Sequence, residues 1–94
     1  MLQLLAQITL KSTDDGGREK PIYSGYRPSF FANDGNSDCV LYFNSMNIKP
    51  NETHTVDIMI IHPELVGIVR KGDTFTLREG HRIVAEGTIN KIEA

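Results

Sequence analysis

The stretch from residue 74 to residue 92 constrains the fold most, because its side chains alternate and its middle must reverse. Phe75 and Leu77 point one way, and Thr74, Thr76 and Arg78 point the other. That period of two marks a half-buried strand. Glu79-Gly80 supplies the turn, and the chain runs back from Arg82 to Ile92. Gly80 falls where a positive φ is needed, which glycine reaches without a Cβ penalty. On the return strand Ile83, Ala85, Gly87 and Ile89 share one face that is small in its middle. Such a face suits a tight barrel interior or a close backbone approach. A lone hairpin is marginal in water, so other strands must cover this one.

Those strands are readable upstream. Leu2, Leu4, Ala6, Ile8 and Leu10 alternate with Gln3, Gln7, Thr9 and Lys11, interrupted only by Leu5. The pattern starts at the initiator methionine, so we expect a short product with nothing ahead of the domain. Residues 12–21 form a polar loop in which Asp15-Gly16-Gly17 is a turn signal, serving a flexible turn or a backbone anion nest. Residues 22–31 hold Tyr23, Tyr26, Phe30 and Phe31. Pro28 has no N–H to donate, so this strand is expected to lie at an edge or to bend there. Its aromatics, beside Arg27, fill core and rim or stack on bases.

Residues 33–38 read as a turn cluster that resembles a calcium loop only superficially, since the glutamate at the required distance is missing. Residues 39–43 form the next strand, and 44–53 a loop. Residues 54–62 form a strand in which Val56, Ile58 and Ile60 alternate until both faces turn apolar, predicting an end buried on both sides. Residues 63–69 are an irregular connector or a short extra strand, and 70–73 an exposed turn. There is no repeat, low-complexity segment or useful helical period. Six short strands give an all-β domain, and closure into a barrel removes exposed edges.

Composition limits the function. A chain of 94 residues is one domain spanning 1–94. A net charge of −2 argues against strong binding to RNA, whose partners usually show a basic face. The single cysteine, Cys39, cannot form an intrachain disulfide and opens an apolar run, so it reads as a small buried hydrophobe in a reducing compartment. No apolar stretch is long enough to span a bilayer, and the N-terminus lacks the basic residues of a signal peptide. A cytoplasmic protein without membrane contact is expected. The P-loop pattern is absent, so no nucleotide is expected. His54, His62 and His81, with Asp57 and Glu79, match no ligand spacing. We therefore expect no metal and no cofactor. An enzyme built on those residues is the remote alternative.

Three blocks of sequence resemble the third, C-terminal domain of translation elongation factor Tu. Arg78-Glu79-Gly80-His81-Arg82-Ile83-Val84, with Gly87, is similar to the family's Arg-Glu-Gly-Gly-Arg-Thr-Val-Gly-Ala-Gly. Gly16-Gly17-Arg18, followed by Pro21, is similar to Glu-Gly-Gly-Arg-His-Thr-Pro-Phe. Gly25-Tyr26-Arg27-Pro28-Ser29-Phe30 is similar to Gly-Tyr-Arg-Pro-Gln-Phe. The blocks stand in the family's order and frame nearly the whole chain. The resemblance implies a six-stranded antiparallel Greek-key β-barrel without the parent factor's GTPase activity.

It also implies sites. In the family the Arg-Glu-Gly turn contributes to the contact with the T stem of aminoacyl-tRNA, which maps onto Arg78, Glu79 and Gly80. The family histidine after Gly-Gly-Arg maps onto Glu19, the glutamine of Arg-Pro-Gln onto Ser29, and a lysine before the proline onto His62. Acidic or shortened residues facing phosphate weaken RNA binding. The resemblance thus implies a non-catalytic binding module that binds a protein partner or regulates or mimics a translation factor, with weak tRNA binding as the alternative. A surface that packed on other domains in the parent factor, if still apolar, would seek a partner or a second copy.

Overall fold

The computed structural model describes residues 1–12, 14 and 16–93. Of the turn predicted at Asp15-Gly16-Gly17, Asp15 lies outside the described residues. Six strands form: β1 (Leu2–Leu10), β2 (Ser29–Ala32), β3 (Gly35–Tyr42), β4 (Thr53–Ile60), β5 (Thr74–Glu79) and β6 (Arg82–Ile92). They close into a barrel in the order β1-β4-β3-β2-β5-β6, and all neighbours are antiparallel. β2, β3 and β4 follow one another, and β5 returns to lie beside β2, which is a Greek key.

Alternation builds the interior. Leu4, Ala6, Ile8 and Leu10 from β1, Val56, Ile58 and Ile60 from β4, and Phe75 and Leu77 from β5 are all buried. Phe30 stacks on Phe75 with ring centroids 4.6 Å apart. Gly87 leaves room for that pair. A Cβ there would overlap the Phe75 ring and come within 2.9 Å of the Gln7 carbonyl oxygen.

Several sequence expectations need correction. The closing turn is Gly80-His81, because Glu79 still pairs with Arg82. Gly80 has φ 62° and His81 has no positive φ, the arrangement of a type II′ turn. On β6 the inward set includes Val84 and not Ile83. Leu77 pairs with Ala85 while Arg78 pairs with Ile83, so Val84 is an extra residue in a bulge that buries Val84 and Ala85 together.

β2 starts only at Ser29. The chain before it still accepts hydrogen bonds from β3, Cys39 N–H to Pro28 O at 3.2 Å and Leu41 N–H to Tyr26 O at 2.9 Å. Pro28 cannot donate in return, so the ladder stops there. The barrel is closed, and Pro28 therefore marks a ladder end and not an edge strand.

β3 begins at Gly35, because Asn33 (φ 52°) and Asp34 (φ 65°) alone make the two-residue turn. Met59 and Ile61 are half-exposed outward positions, so the end of β4 is buried on one side only. The connector after β4 contains a short 3₁₀ helix, Pro63–Leu65, instead of a strand.

Candidate binding surface

The three sequence blocks meet at one carboxylate. Glu79, the last residue of β5, accepts hydrogen bonds from Arg18 Nη1, Tyr26 Oη and Arg82 Nη2, the last at 2.9 Å. The Arg18 guanidinium also lies 5.2 Å from the Tyr26 ring centroid. Burial acts to raise the Glu79 pKa, but donation from Tyr26, Arg82 and Arg18 outweighs it and holds the carboxyl below its ordinary value. Burial and the same carboxylate push the Tyr26 phenol up. For Arg18, burial is opposed by the hydrogen bond and charge of Glu79, and its pKa rises. This clasp fastens the crossover loop between β1 and β2 to the closing hairpin. Gly17 belongs to the same anchor, since its N–H donates to Ser12 O at 2.7 Å and is not left for an anion nest.

The residues carried over as RNA-facing do not all gather. Ser29 pairs with Arg78 on one side and with Asp38 on the other, in a row across the outside of β5, β2 and β3. Ile61 N–H donates to Asp38 O at 3.0 Å, extending the row to β4. His62 follows at its end, with its N–H donating to Ser37 Oγ at 2.9 Å and its Nδ1 3.5 Å from Glu64 Oε2. Gly80 sits at the tip of the hairpin, and Glu19 is exposed in the loop beyond Arg18. Arg78 is held over the Phe31 ring, 4.1 Å from its centroid, while its Nε donates to Thr76 Oγ1 at 3.1 Å. Tyr26 is committed to Glu79 and does not present its hydroxyl for base recognition.

Asp38 escaped the sequence reading because it was assigned to the turn. The signal was present. Asn36, Asp38, Val40 and Tyr42 alternate outward against Ser37, Cys39 and Leu41 inward. Cys39 is buried as expected, and burial followed by the Asp38 charge pushes its thiol up to about 12. The remaining motif residues are structural or rim positions. Pro28 is buried, Gly16 turns with φ 81°, and Arg27 is exposed beside β3.

Tyr23 (59% exposed) and Met46 (86%) stand on neighbouring segments. Those segments are locked by two hydrogen bonds between Ile22 and Ile48, of 2.9 and 3.0 Å. Phe43 N–H adds a bond to Ser24 Oγ at 3.1 Å. The three histidines are dispersed. His54 lies at the start of β4, 3.2 Å from Glu52 Oε1, His62 lies beyond the end of β4, and His81 is in the hairpin turn. Among the described residues no group of three or more His, Cys, Asp or Glu side chains gathers as a metal site. No helix among them is long and apolar enough to cross a membrane.

A closed six-stranded Greek-key barrel, clasped where three spaced motifs converge, defines an all-β barrel domain. The family model for the elongation factor Tu C-terminal domain matches residues 1–93, and the chain belongs to that family.

Proposed function

We propose that this protein is a non-catalytic binding module of translation whose partner is another protein, and that it regulates or mimics elongation factor Tu in the cytoplasm. The observation that carries this reading is the internal commitment of Glu79, the centre of the turn that the family resemblance directs at tRNA. It takes three donors from its own chain. Arg78 beside it is laid on Phe31, and Asp38 stands next to Ser29 in the same row. With Glu19 exposed, a phosphate backbone would meet carboxylates where it needs cations. Tyr23 and Met46, exposed on segments tied together by the Ile22–Ile48 bonds, offer what a protein partner buries, apolar anchors at the surface.

The row of Ser29 and Arg78 favours weak tRNA contact as a second reading. Fluorescence anisotropy with labelled aminoacyl-tRNA at two salt concentrations separates the two. We expect a Kd no tighter than about 10⁻⁴ M at physiological salt, the weak end of non-specific binding. The pair Glu19→His with His62→Lys should bind measurably tighter, with a steeper salt dependence. Sub-micromolar binding by the wild type would put RNA first. Capture of a protein from cell extract that is lost with Tyr23→Ser and Met46→Ser supports the protein reading.

A further inference from the structure

Two outward faces of this barrel differ in chemistry. Over β5, β6 and β1, Thr9, Thr74, Thr76 and Thr88 with Gln7 and Glu86 line an open groove of about 1080 Å³ whose rim also carries Phe31 and Arg78, a mixed surface richer in hydroxyls than in apolar side chains. Over β3, β4 and β1 the apolar outward positions are Tyr42, Met59, Ile61 and Leu5, with the buried Val40 beside Met59 and with Gln3 and Asp57 interleaved among them. Register makes them contiguous: Val40 pairs with Met59 and Met59 with Gln3, while Tyr42 pairs with Asp57 and Asp57 with Leu5. Tyr42 is 50% exposed, and Leu5, Met59 and Ile61 are half-buried. A largely apolar patch outside a barrel, with only Asp57 and Gln3 between its apolar members, marks a surface suited to a partner.

Charges of opposite sign flank the patch. On the β3 side Arg27 runs beside Val40, between the bonds that Cys39 and Leu41 donate to Pro28 and Tyr26. It is exposed and makes no ion pair among the described residues. On the β1 side Glu93 N–H donates to Gln3 O at 2.8 Å. The Glu93 carboxyl lies beside Asp57, and that neighbouring carboxyl raises the Glu93 pKa. Lys91 is the neighbouring cation.

We infer that the outer face of β3, β4 and β1 pairs with a second copy of this chain about a two-fold axis running along β4. Rotation about that axis lays the β3 rim of one copy on the β1 rim of the other. Arg27 then meets Glu93 of the second copy, Tyr42 meets Leu5, and Met59 meets Met59. Asp57 lies on the axis and neighbours Glu93, so the arriving arginine also faces the Asp57 charge. The contact is isologous, so each complementary pair occurs twice. The polar face over β5 and β6 offers no such match. This inference goes beyond the proposed function and does not depend on it. A patch spanning five strand positions at roughly 4.8 Å and two outward rows at roughly 7 Å is small, which makes the dimer weak.

The test is sedimentation equilibrium of the full chain, with melting curves as the folding control. The wild type should dimerise with a Kd between about 10 and 500 µM. Arg27→Glu and Glu93→Lys should each weaken dimerisation at least about tenfold, because each places like charges together twice. An equimolar mixture of the two variants should associate within about threefold of the wild type, since every rim contact is then between opposite charges. Met59→Asp, at the centre, should abolish association. Should that variant unfold, the two charge variants still decide, because both positions are exposed. A wild type that stays monomeric at several times the upper limit overturns the inference. So does a dimer indifferent to these substitutions, or a mixture that fails to recover. A different protein occupying this face of a monomer overturns it as well.

Discussion

Glu79→Ala is the perturbation with the most to say about how this barrel is held. The side chains of Arg18 and Glu79 are 22% and 28% exposed, so their ion pair is partly desolvated. Arg82 is 54% exposed, and its contribution is that of a surface pair, at most about 0.5 kcal/mol. Hydrogen bonds to a charged acceptor contribute about 1.5–3 kcal/mol each when dry. Discounted for partial exposure, the Arg18 and Tyr26 bonds come to about 1 kcal/mol apiece, and the alanine also leaves a phenol and a guanidinium without their acceptor. The total is about 2–3 kcal/mol, or roughly 10–20 °C in Tm for a domain of this size.

The effect has a pH signature. The folded pKa of Glu79 lies below its unfolded value, so its stabilisation is present above an unfolded pKa of about 4.3. It is lost as pH falls through the lower folded value. Circular dichroism melts should therefore show the full gap between wild type and variant near pH 7, narrowing progressively as the pH falls below about 4.3. In a double-mutant cycle with Arg18→Met, the coupling should be about 1 kcal/mol. An unchanged melt near neutral pH, or a gap that widens in acid, refutes the clasp.

The hairpin and the interior can be tested separately. Gly80→Val places a β-branched residue at φ 62° and should cost about 1–3 kcal/mol, read from the urea midpoint. Gly87→Leu drives a side chain into the Phe75 ring and should cost roughly 1–3 kcal/mol by overpacking. If both variants melt like the wild type, the closing hairpin does not line the barrel.

Much of this barrel was legible because alternation is a local signal. β1 stands where the pattern of Leu4, Ala6, Ile8 and Leu10 put it, and β5 follows Phe75 and Leu77. What periodicity could not show were the departures from it. The bulge at Val84 shifts one strand by a residue, so the buried set becomes Val84 with Ala85 and excludes Ile83. At β3 the polar residues Asn36 and Asp38 suggested a turn, yet Asn33 and Asp34 completed the reversal alone. At β4 the apolar outward residues Met59 and Ile61 suggested burial on both sides. Apolar character does not say how completely a face is covered, and here Met59 and Ile61 stay only partly buried.

The site was legible in its residues but not in their roles. Arg18, Tyr26, Glu79 and Arg82 stood out as family motif positions, and the resemblance directed the Arg-Glu-Gly turn at RNA. In the folded chain those motifs recognise one another. The need for this is topological. The crossover from β1 to β2 spans residues 11–28, and its described residues are held by isolated bridges and single bonds to β3, with a continuous ladder beginning only at Ser29. Long connections without secondary structure stay ordered only where specific bonds hold them. The Ile22–Ile48 bonds pin the middle of this one, and Arg18 and Tyr26 pin it to the hairpin through Glu79. Tyr23 lies between those anchors. The carboxylate that the family resemblance directs at a tRNA stem is therefore one of the anchors of the loop that carries Tyr23. Under the proposed function one carboxylate cannot serve both roles at once, so RNA binding through Glu79 would compete with protein binding through Tyr23.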